Sequence, residues 1–303
     1  MVWIIILNWN GWQDTIECLQ SLKKITDPKV RILVVDNAST DESLAKLHQF
    51  QKTSHAPEFE LLESQENLGF AGGMNLGIIH AMTENPDWLL LLNNDTVVEP
   101  TFLTTLLEAA KTDPKIVILN PKILLKGKPE YFWFAGGKLD KLLTKGSHVG
   151  LGEQDTGQYD IPPVRDTDYS TGGCLLVRRS VIDKIGLLPE EYFVYYEDTE
   201  WSLRAERAGF RCVVVPKAKI WHAGAASSKE FSESYIRYHV RNGLLLNRRM
   251  GNPMQVVKAY FLSLLRAGKQ LIKLLHEHPQ ERIWAKTVLL GICDAWLGKT
   301  GKI

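Results

Sequence analysis

The sequence predicts an α/β protein: a mostly parallel central sheet flanked by helices, followed by a helical C-terminal extension. Three observations carry this. Up to about Lys111, short apolar runs alternate with segments of helical period, the pattern of β-α units on one sheet. Polar residues gather directly after those runs, at Asn8 and Asn10, at Asp36 and Asn37, and at Asn93, Asn94 and Asp95, where ligands of such sheets sit. Beyond Arg237 the apolar positions recur at helical spacing.

Taken in order, Val2–Leu7 is an unbroken apolar run and therefore a buried strand. Asp14–Leu22 follows as a helix with Ile16, Leu19 and Leu22 on one face. Arg31–Val35 is the second strand, stopped by Asp36-Asn37-Ala38-Ser39-Thr40-Asp41, a run of turn and cap formers. A helix over Glu42–Phe50, a strand near Phe59–Glu63 and a Gly-rich entry into a helix over Gly73–Met82 continue the alternation. Trp88–Leu92 is the fourth strand. After Lys111 the regularity loosens, and Lys126–Asp168, rich in Gly, Pro and charge, reads as an irregular insertion with short hairpins. Cys174–Val177 is again a strand. Ser180 and Asp183 are spaced as a capping box for a helix ending at Ile185, with Gly186 as its stop. Asp198–Ala208 is a helix ended by Gly209, and Arg211–Val215 a strand. In the C-terminal region Val257, Tyr260, Phe261, Leu264, Leu265, Ile272 and Leu275 form an apolar stripe on a helix around Met254–His276.

The 303 residues are 45% hydrophobic and 23% charged, an ordinary soluble composition that can bury a core without disulfide or metal staples. The net charge of +1 argues against a general nucleic-acid binder. It conceals an asymmetry: from Arg237 onward 12 Lys/Arg face 3 Asp/Glu, a local +9 that leaves −8 on residues 1–236. A basic tail on an acidic body suggests an anionic partner such as a membrane surface, and Lys258, Arg266, Lys269 and Lys273 supply cations beside the stripe, with no acid before Glu277. The alternative is that the same stripe packs on the α/β domain or forms a homodimer contact. Cys18, Cys174, Cys212 and Cys293 have no metal-type spacing and read as buried free thiols. The start lacks a cationic leader, and no apolar stretch reaches the 18 or so residues of a spanning helix. A cytoplasmic protein, soluble or peripheral on the inner face of the membrane, is expected.

Several clusters carry candidate chemistry. Asn67-Leu68-Gly69-Phe70-Ala71-Gly72-Gly73-Met74-Asn75-Leu76-Gly77 does not fit a dinucleotide fingerprint; it is either a flexible turn or a helix start whose backbone approaches a phosphate. Asp95 follows four leucines and two asparagines, so its carboxylate sits at the edge of the core. A strand-end Asp is a common turn residue, yet one carboxylate suffices for a divalent cation that also binds a diphosphate. His222, beside Trp221, is a second ligand candidate or a packed core histidine. Glu197, Asp198 and Glu200 open a helix after the aromatic run Tyr192-Phe193-Val194-Tyr195-Tyr196. Acidic residues there complement the helix dipole, but three of them exceed what capping needs, and a carboxylate on an apolar wall suits a general base.

Together these segments resemble the inverting family-two glycosyltransferases of the GT-A fold, especially the bacterial rhamnosyltransferase-like branch. Val34–Ser39, Asn67–Asn75, Leu91–Asp95, Thr171–Cys174 and Tyr196–Trp201 carry the match, Trp221-His222 adds to it, and the resemblance covers about residues 2–225. It implies a nucleotide-sugar-binding catalytic domain over 1–225 and a basic helical region over 226–303. It implies that Asp36 reads a pyrimidine ring, with Asn8 and Asn10 beside the nucleoside. Asn67, Gly69 and Asn75 would belong to the wall around ribose and diphosphate. Asp95 matches the last aspartate of the metal-binding D-x-D signature, His222 the distal ligand of Mg²⁺ or Mn²⁺, and Asp198 the catalytic base. Thr171, Gly172 and Gly173 match the loop lining the sugar pocket. Asn93 replaces the first aspartate of D-x-D, which leaves a less anionic metal site; Asn93 and Asn94 are expected to contact the donor.

The expected activity is transfer of a sugar from a nucleoside-diphosphate sugar, dTDP-rhamnose by branch resemblance or else a UDP-sugar, to a hydroxyl of a glycan or lipid-linked glycan, with inversion, in cell-surface polysaccharide assembly. Two alternatives stand beside it. A sugar nucleotidyltransferase needs a Gly-rich, cationic loop after the first strand, where this chain has Asn8-Trp9-Asn10-Gly11-Trp12-Gln13. A non-catalytic sugar-nucleotide-binding protein is expected to have lost the carboxylates that this chain keeps.

Overall fold

The computed structural model describes residues 1–26, 29–140, 145–224, 232–275 and 278–303. The first half reads β1 (Val2–Asn8), α1 (Trp12–Leu22), β2 (Val30–Asp36), α2 (Ser43–Gln51), β3 (Glu60–Glu63), α3 (Gly69–Met82), β4 (Trp88–Asn93), β5 (Thr96–Val98) and α4 (Phe102–Ala110). The second half continues with β6 (Ile116–Leu125), β7 (Lys128–Phe134), β8 (Gly137–Asp140), β9 (Lys145–His148), β10 (Arg165–Asp166), β11 (Cys174–Arg178), α5 (Arg179–Ile185), α6 (Glu197–Arg207) and β12 (Arg211–His222). Three helices close the chain: α7 (Glu233–Met250), α8 (Pro253–Lys273) and α9 (Pro279–Trp296).

The main sheet runs β10-β12-β6-β11-β4-β1-β2-β3, with β5 on β12 and β7 on β6. β1 pairs in parallel with β2 and β4, and β2 with β3. β11 runs against its neighbours β4 and β6, so β6 and β12 point the same way as β1, while β5 and β10 run against β12 and β7 against β6. Successive side chains of a strand face opposite sides. Ile4 and Ile6 therefore belong to one core with Leu19 of α1, Leu47 of α2 and Phe102 of α4, while Trp3 and Ile5 belong to the opposite core with Met74 of α3, Val181 of α5 and Trp201 of α6. Burial on both faces explains why these strands read as continuous apolar runs rather than alternating ones.

Several elements depart from the sequence expectation. β6 was hidden because Asn120-Pro121-Lys122 interrupts its apolar run; Asn120 Nδ2 donates to the carbonyls of Thr171 and Cys174, and Lys122 pairs with Asp155 and Asp160 at 2.8 and 2.6 Å. α3 starts at Gly69, not Gly73. α5 has no capping box: its N-cap is Arg178 with no side-chain cap bond, although Gly186 ends the helix at φ +76° as expected. Cys18, Cys174 and Cys212 are buried, and burial pushes the Cys18 and Cys212 thiols up to about 12. Cys293 is exposed, contrary to expectation, because α9 packs on α7 and α8 from one side only.

The C-terminal helices are docked through α7. Arg249 donates to both oxygens of the buried Glu200 at 2.7 and 3.0 Å and pairs with Glu191 at 2.8 Å. Leu245 and Leu246 join the core beneath the sheet. α8 opens with a capping box between Asn252 and Gln255 and packs through Ala259 and Ser263, whose Oγ accepts from Trp296 Nε1 at 3.0 Å. Tyr260, expected on the outer apolar stripe, lies edge-on to Trp296 at 5.2 Å. The expected boundary at 225/226 and the residues His276 and Glu277 lie outside the described residues. Among the described residues no helix is long and apolar enough to cross a membrane.

Candidate functional site

The parallel strands end in polar side chains at one edge of the sheet, and antiparallel β11 begins there, which adds Thr171–Gly173 to the same edge. At the ends of β1 and β2, Asn8 Nδ2 donates to Asp36 Oδ2 at 2.7 Å, as does Ser39 Oγ at 2.7 Å, while Ser39 N donates to Asp36 Oδ1 at 2.9 Å. Thr15 Oγ1 holds Asn8 from below at 2.8 Å. Asp36 is thus fully buried and largely satisfied from within, with one acceptor position left on Oδ1. Asn10, in the left-handed region at φ 52°, accepts from the Thr40 and Asp41 amides at 2.7 and 3.2 Å and shapes the exposed rim.

Asn37 carries the network to α3. Its Nδ2 donates to Asn67 Oδ1 at 3.2 Å and to the Gly69 carbonyl at 3.0 Å, and its Oδ1 accepts from Leu68 N. The glycines of α3 serve packing: a Cβ on Gly73 or Gly77 would stand 2.5 Å from Leu7 or Ile5, so α3 lies directly on β1 and β2. Asn75 is not brought to the strand ends. It donates to the Leu188 carbonyl and to Glu190, both at 2.8 Å, and ties down the loop before Tyr192.

Asp95 and His222 are brought together by the antiparallel β5–β12 ladder, in which Thr96 opposes His222. Asp95 Oδ1 and His222 Nε2 are 3.1 Å apart, both residues are 5% exposed, and Asn93 Nδ2 stands 3.1 Å from the same Nε2. Asn94 turns away, donating to Gly11 O and Thr15 Oγ1. Among the described residues no cluster of three or more His, Cys, Asp or Glu is assembled. Two ligands nonetheless fit a cation whose shell is completed by a diphosphate, and cis ligands of an octahedral ion with bonds of about 2.1 Å stand about 3 Å apart. Gly224 N donates to His222 Nδ1 at 3.0 Å, so the ring proton sits on Nε2 and faces Asp95. Nε2 is the ring nitrogen that would be offered to a cation beside Asp95.

Asp198, half-buried at the start of α6, accepts from Gly172 N on Oδ2 at 2.9 Å and from Thr199 N on Oδ1 at 2.6 Å. Burial raises its carboxyl above the usual range, and these N–H groups oppose the rise. Glu197 is pushed well above that range by burial and by the charge of Asp198, and its buried Oε2 has no hydrogen-bond partner among the described residues. Asp198 is therefore the carboxylate of the pair placed to ionise first and to take up a proton. The third acid, Glu200, is spent on structure, held by Arg204, Arg249 and Tyr192.

A chain of contacts joins the two halves. A Cβ on Gly172 would stand 2.8 Å from the Phe70 ring, and one on Gly173 would stand 3.2 Å from Trp133. The Trp133 ring lies 4.4 Å from His222 and 4.4 Å from His148, whose pKa burial lowers to about 4, so it stays neutral. Trp133 was missed in the sequence because it lies in the irregular insertion; the run Tyr131-Phe132-Trp133-Phe134 was the available signal. Also missed were Arg241 and Asn242 of α7. Asn242 Nδ2 donates to the carbonyls of Tyr192, Val194 and Tyr195 at 3.2, 2.7 and 2.9 Å, and Arg241 donates to Tyr192 O at 2.8 Å. They clasp a segment in which Phe193, Tyr195 and Tyr196 all have positive φ and which leads straight into Asp198. A cavity of about 420 Å³ beside α6 and α7, lined by Leu203, Leu246, Met250 and Gln255, lies apart from these residues.

Comparison with known proteins identifies the family and the fold. Residues 3–186 match the family model described as glycosyl transferase family 2. The chain is 30% identical, over 73% of its length and 75% of the relative's, to the N-acetylglucosaminyl-diphospho-decaprenol L-rhamnosyltransferase of Mycobacterium tuberculosis. It is 23% identical to the dTDP-rhamnosyl transferase RfbF of Shigella flexneri, over 84% of this chain and 82% of that one. The solved structure of the mannosyltransferase PcManGT from Pyrobaculum calidifontis, in complex with GDP-Man and Mn²⁺, superposes with a TM-score of 0.61 at 14% identity, over 98% of this chain and 87% of that one. That likeness is one of fold, and the fold is GT-A. The chain belongs to glycosyl transferase family 2, on its rhamnosyltransferase-like branch.

Proposed function

We propose that this glycosyltransferase moves a sugar from a nucleoside-diphosphate sugar to an acceptor hydroxyl with inversion, using Asp198 as the general base. The observation that carries the reading is the single edge of the sheet at which Asn8, Asp36, Asp95, His222 and the Gly172–Asp198 contact all lie. Asn8, Asn10, Asp36, Asn67 and Gly69 form the nucleoside side of the site, and Asn93 and Asn94 set the turn that presents Asp95. Asp95 and His222 would hold Mg²⁺ or Mn²⁺, which supplies positive charge against the departing diphosphate. Gly172 and Gly173, kept small by Phe70 and Trp133, leave room for the sugar.

Asp198 Oδ2 takes the proton of the acceptor hydroxyl as that oxygen attacks the anomeric carbon. The bond to the diphosphate oxygen breaks on the opposite face, and its electron pair leaves with the diphosphate. Attack from the side of Asp198 inverts the centre, and the base is worth about 10²–10⁴-fold in rate. The names of the mycobacterial and Shigella relatives support dTDP-rhamnose as donor and a glycan or lipid-linked glycan as acceptor. On this reading the enzyme works in cell-surface polysaccharide assembly, at the inner face of a membrane.

A thermal-shift panel of nucleotide sugars with Mg²⁺ or Mn²⁺ tests donor choice, because a ligand bound only by the native state raises the melting midpoint. dTDP-rhamnose is expected to give the largest shift and to release dTDP on turnover. A panel without any metal-dependent shift overturns the reading.

A further inference from the structure

α8 is inverted relative to an ordinary surface helix. Its small residues Ala259 and Ser263 are buried toward α7 and α9, while its large apolar side chains face outward: Met254 is 78% exposed, Val257 70% and Ile272 72%, with Phe261, Leu264, Leu265 and Leu271 each more than half exposed. At about 100° per residue these positions fall within an arc of roughly 120°, and Leu275, just beyond the helix, extends it. Contiguous apolar surface of this kind marks an interaction site. One flank of the arc is cationic, with Lys258 and Lys269 next to it and Arg266 and Lys273 further round; Lys273 also pairs with Glu281 at 3.0 Å. There is no Asp or Glu between Pro253 and Lys273.

We propose that α8 is an in-plane anchor on an anionic bilayer, with its apolar arc seated below the headgroups and Lys258 and Lys269 at the lipid phosphates. The inference rests on the reading that the acceptor lies at a membrane, and it names the element and the orientation that bring the enzyme there. Charge selects the bilayer over a second copy of the chain: an isologous contact would bring the same acid-free, cation-flanked face against itself. Basic amphipathic helices with an outward apolar face lie in the interface plane. Each cation near an anionic surface strengthens attachment about fivefold at low salt.

The test is flotation of the full-length protein, without donor, on phosphatidylglycerol–phosphatidylcholine vesicles and on pure phosphatidylcholine vesicles. The protein is expected to float with the anionic vesicles at low salt and to be released by high salt. Phe261→Asp with Leu265→Asp is expected to abolish flotation, and Lys258→Gln with Lys269→Gln to weaken it about 25-fold. These side chains are exposed, so both variants are expected to melt as the wild type does. The proposal is overturned if the wild type stays at the bottom of the gradient or if the apolar double variant floats undiminished. It is also overturned if the wild type is a stable dimer that this variant breaks, with no vesicle binding. Because the readout omits nucleotide, these failures leave the transfer reading standing, whereas a protein that floats but binds no nucleotide sugar refutes that reading alone.

Discussion

Asp198→Asn separates the chemistry of the site from its architecture. Both oxygens of Asp198 accept a backbone N–H, from Gly172 at 2.9 Å and from Thr199 at 2.6 Å. An amide has one oxygen, so in either orientation its NH₂ faces one of these donors. A buried donor left unpaired costs about 1–3 kcal/mol. Part of that is offset at neutral pH. Burial raises the folded-state pKa, so the folded protein holds this proton more tightly than the unfolded chain does. The stability so contributed is full below the ordinary value of about 3.9 and is lost as pH rises through the raised folded value. Asn cannot ionise and escapes that decline. The expected result is a melting point lower by a few degrees, donor affinity by calorimetry unchanged, and nucleoside diphosphate release slower by about 10²–10⁴-fold, or about 3–5 kcal/mol in barrier. Turnover near the wild-type rate refutes the assignment, and so does a rate loss fully accounted for by lost donor binding.

The neighbouring acid is expected to behave oppositely. Burial and the charge of Asp198 push the Glu197 carboxyl well above its ordinary range, so it is the poorer proton acceptor of the pair; Glu197→Gln should hold turnover within a few-fold, and a loss comparable to that of Asp198→Asn would reverse their roles. In the wild type, the acidic limb of the pH–rate profile is expected above the ordinary carboxylate range, because activity requires Asp198 ionised and burial raises its pKa; a limb near pH 4 would contradict this. Asn242→Leu strips the Val194 carbonyl of its amide donor, for a loss of about 1–3 kcal/mol measured by urea unfolding. The same variant should lower turnover more than donor affinity, since the clasped segment leads to Asp198 and not to the strand ends.

How much of this was legible in the sequence depended on whether local pattern and tertiary packing agreed. β1, β2 and β4 were readable because burial on both faces leaves nothing but apolar side chains. β6 was not, because Asn120, Pro121 and Lys122 look like a stop until Thr171, Cys174, Asp155 and Asp160, far along the chain, satisfy them. The start of α3 was misplaced for a related reason: Gly69, Gly72 and Gly73 are poor helix formers, and contact with β1 and the Phe193 loop selects them. Asp95 and His222 could be named as candidates one by one, but only the β5–β12 ladder shows them in contact. Asn75 was named for a ligand and serves a loop, a distinction that local sequence does not carry. In α8 the period was clear and the buried side was not, since close packing against α7 and α9 took Ala259 and Ser263 and left the large residues outside.

We propose that Asp95 and His222 hold a cation against the diphosphate of the donor. Calorimetry of dTDP and UDP binding, with Mg²⁺ or Mn²⁺ and with chelator, on the wild type, Asp95→Ala and His222→Ala, tests it most directly. Metal is expected to strengthen binding to the wild type, Asp95→Ala to remove this increment, and His222→Ala to reduce it less, because the carboxylate supplies the negative charge of the pair. Equal affinity with and without metal, or a metal increment unchanged in both variants, would contradict it.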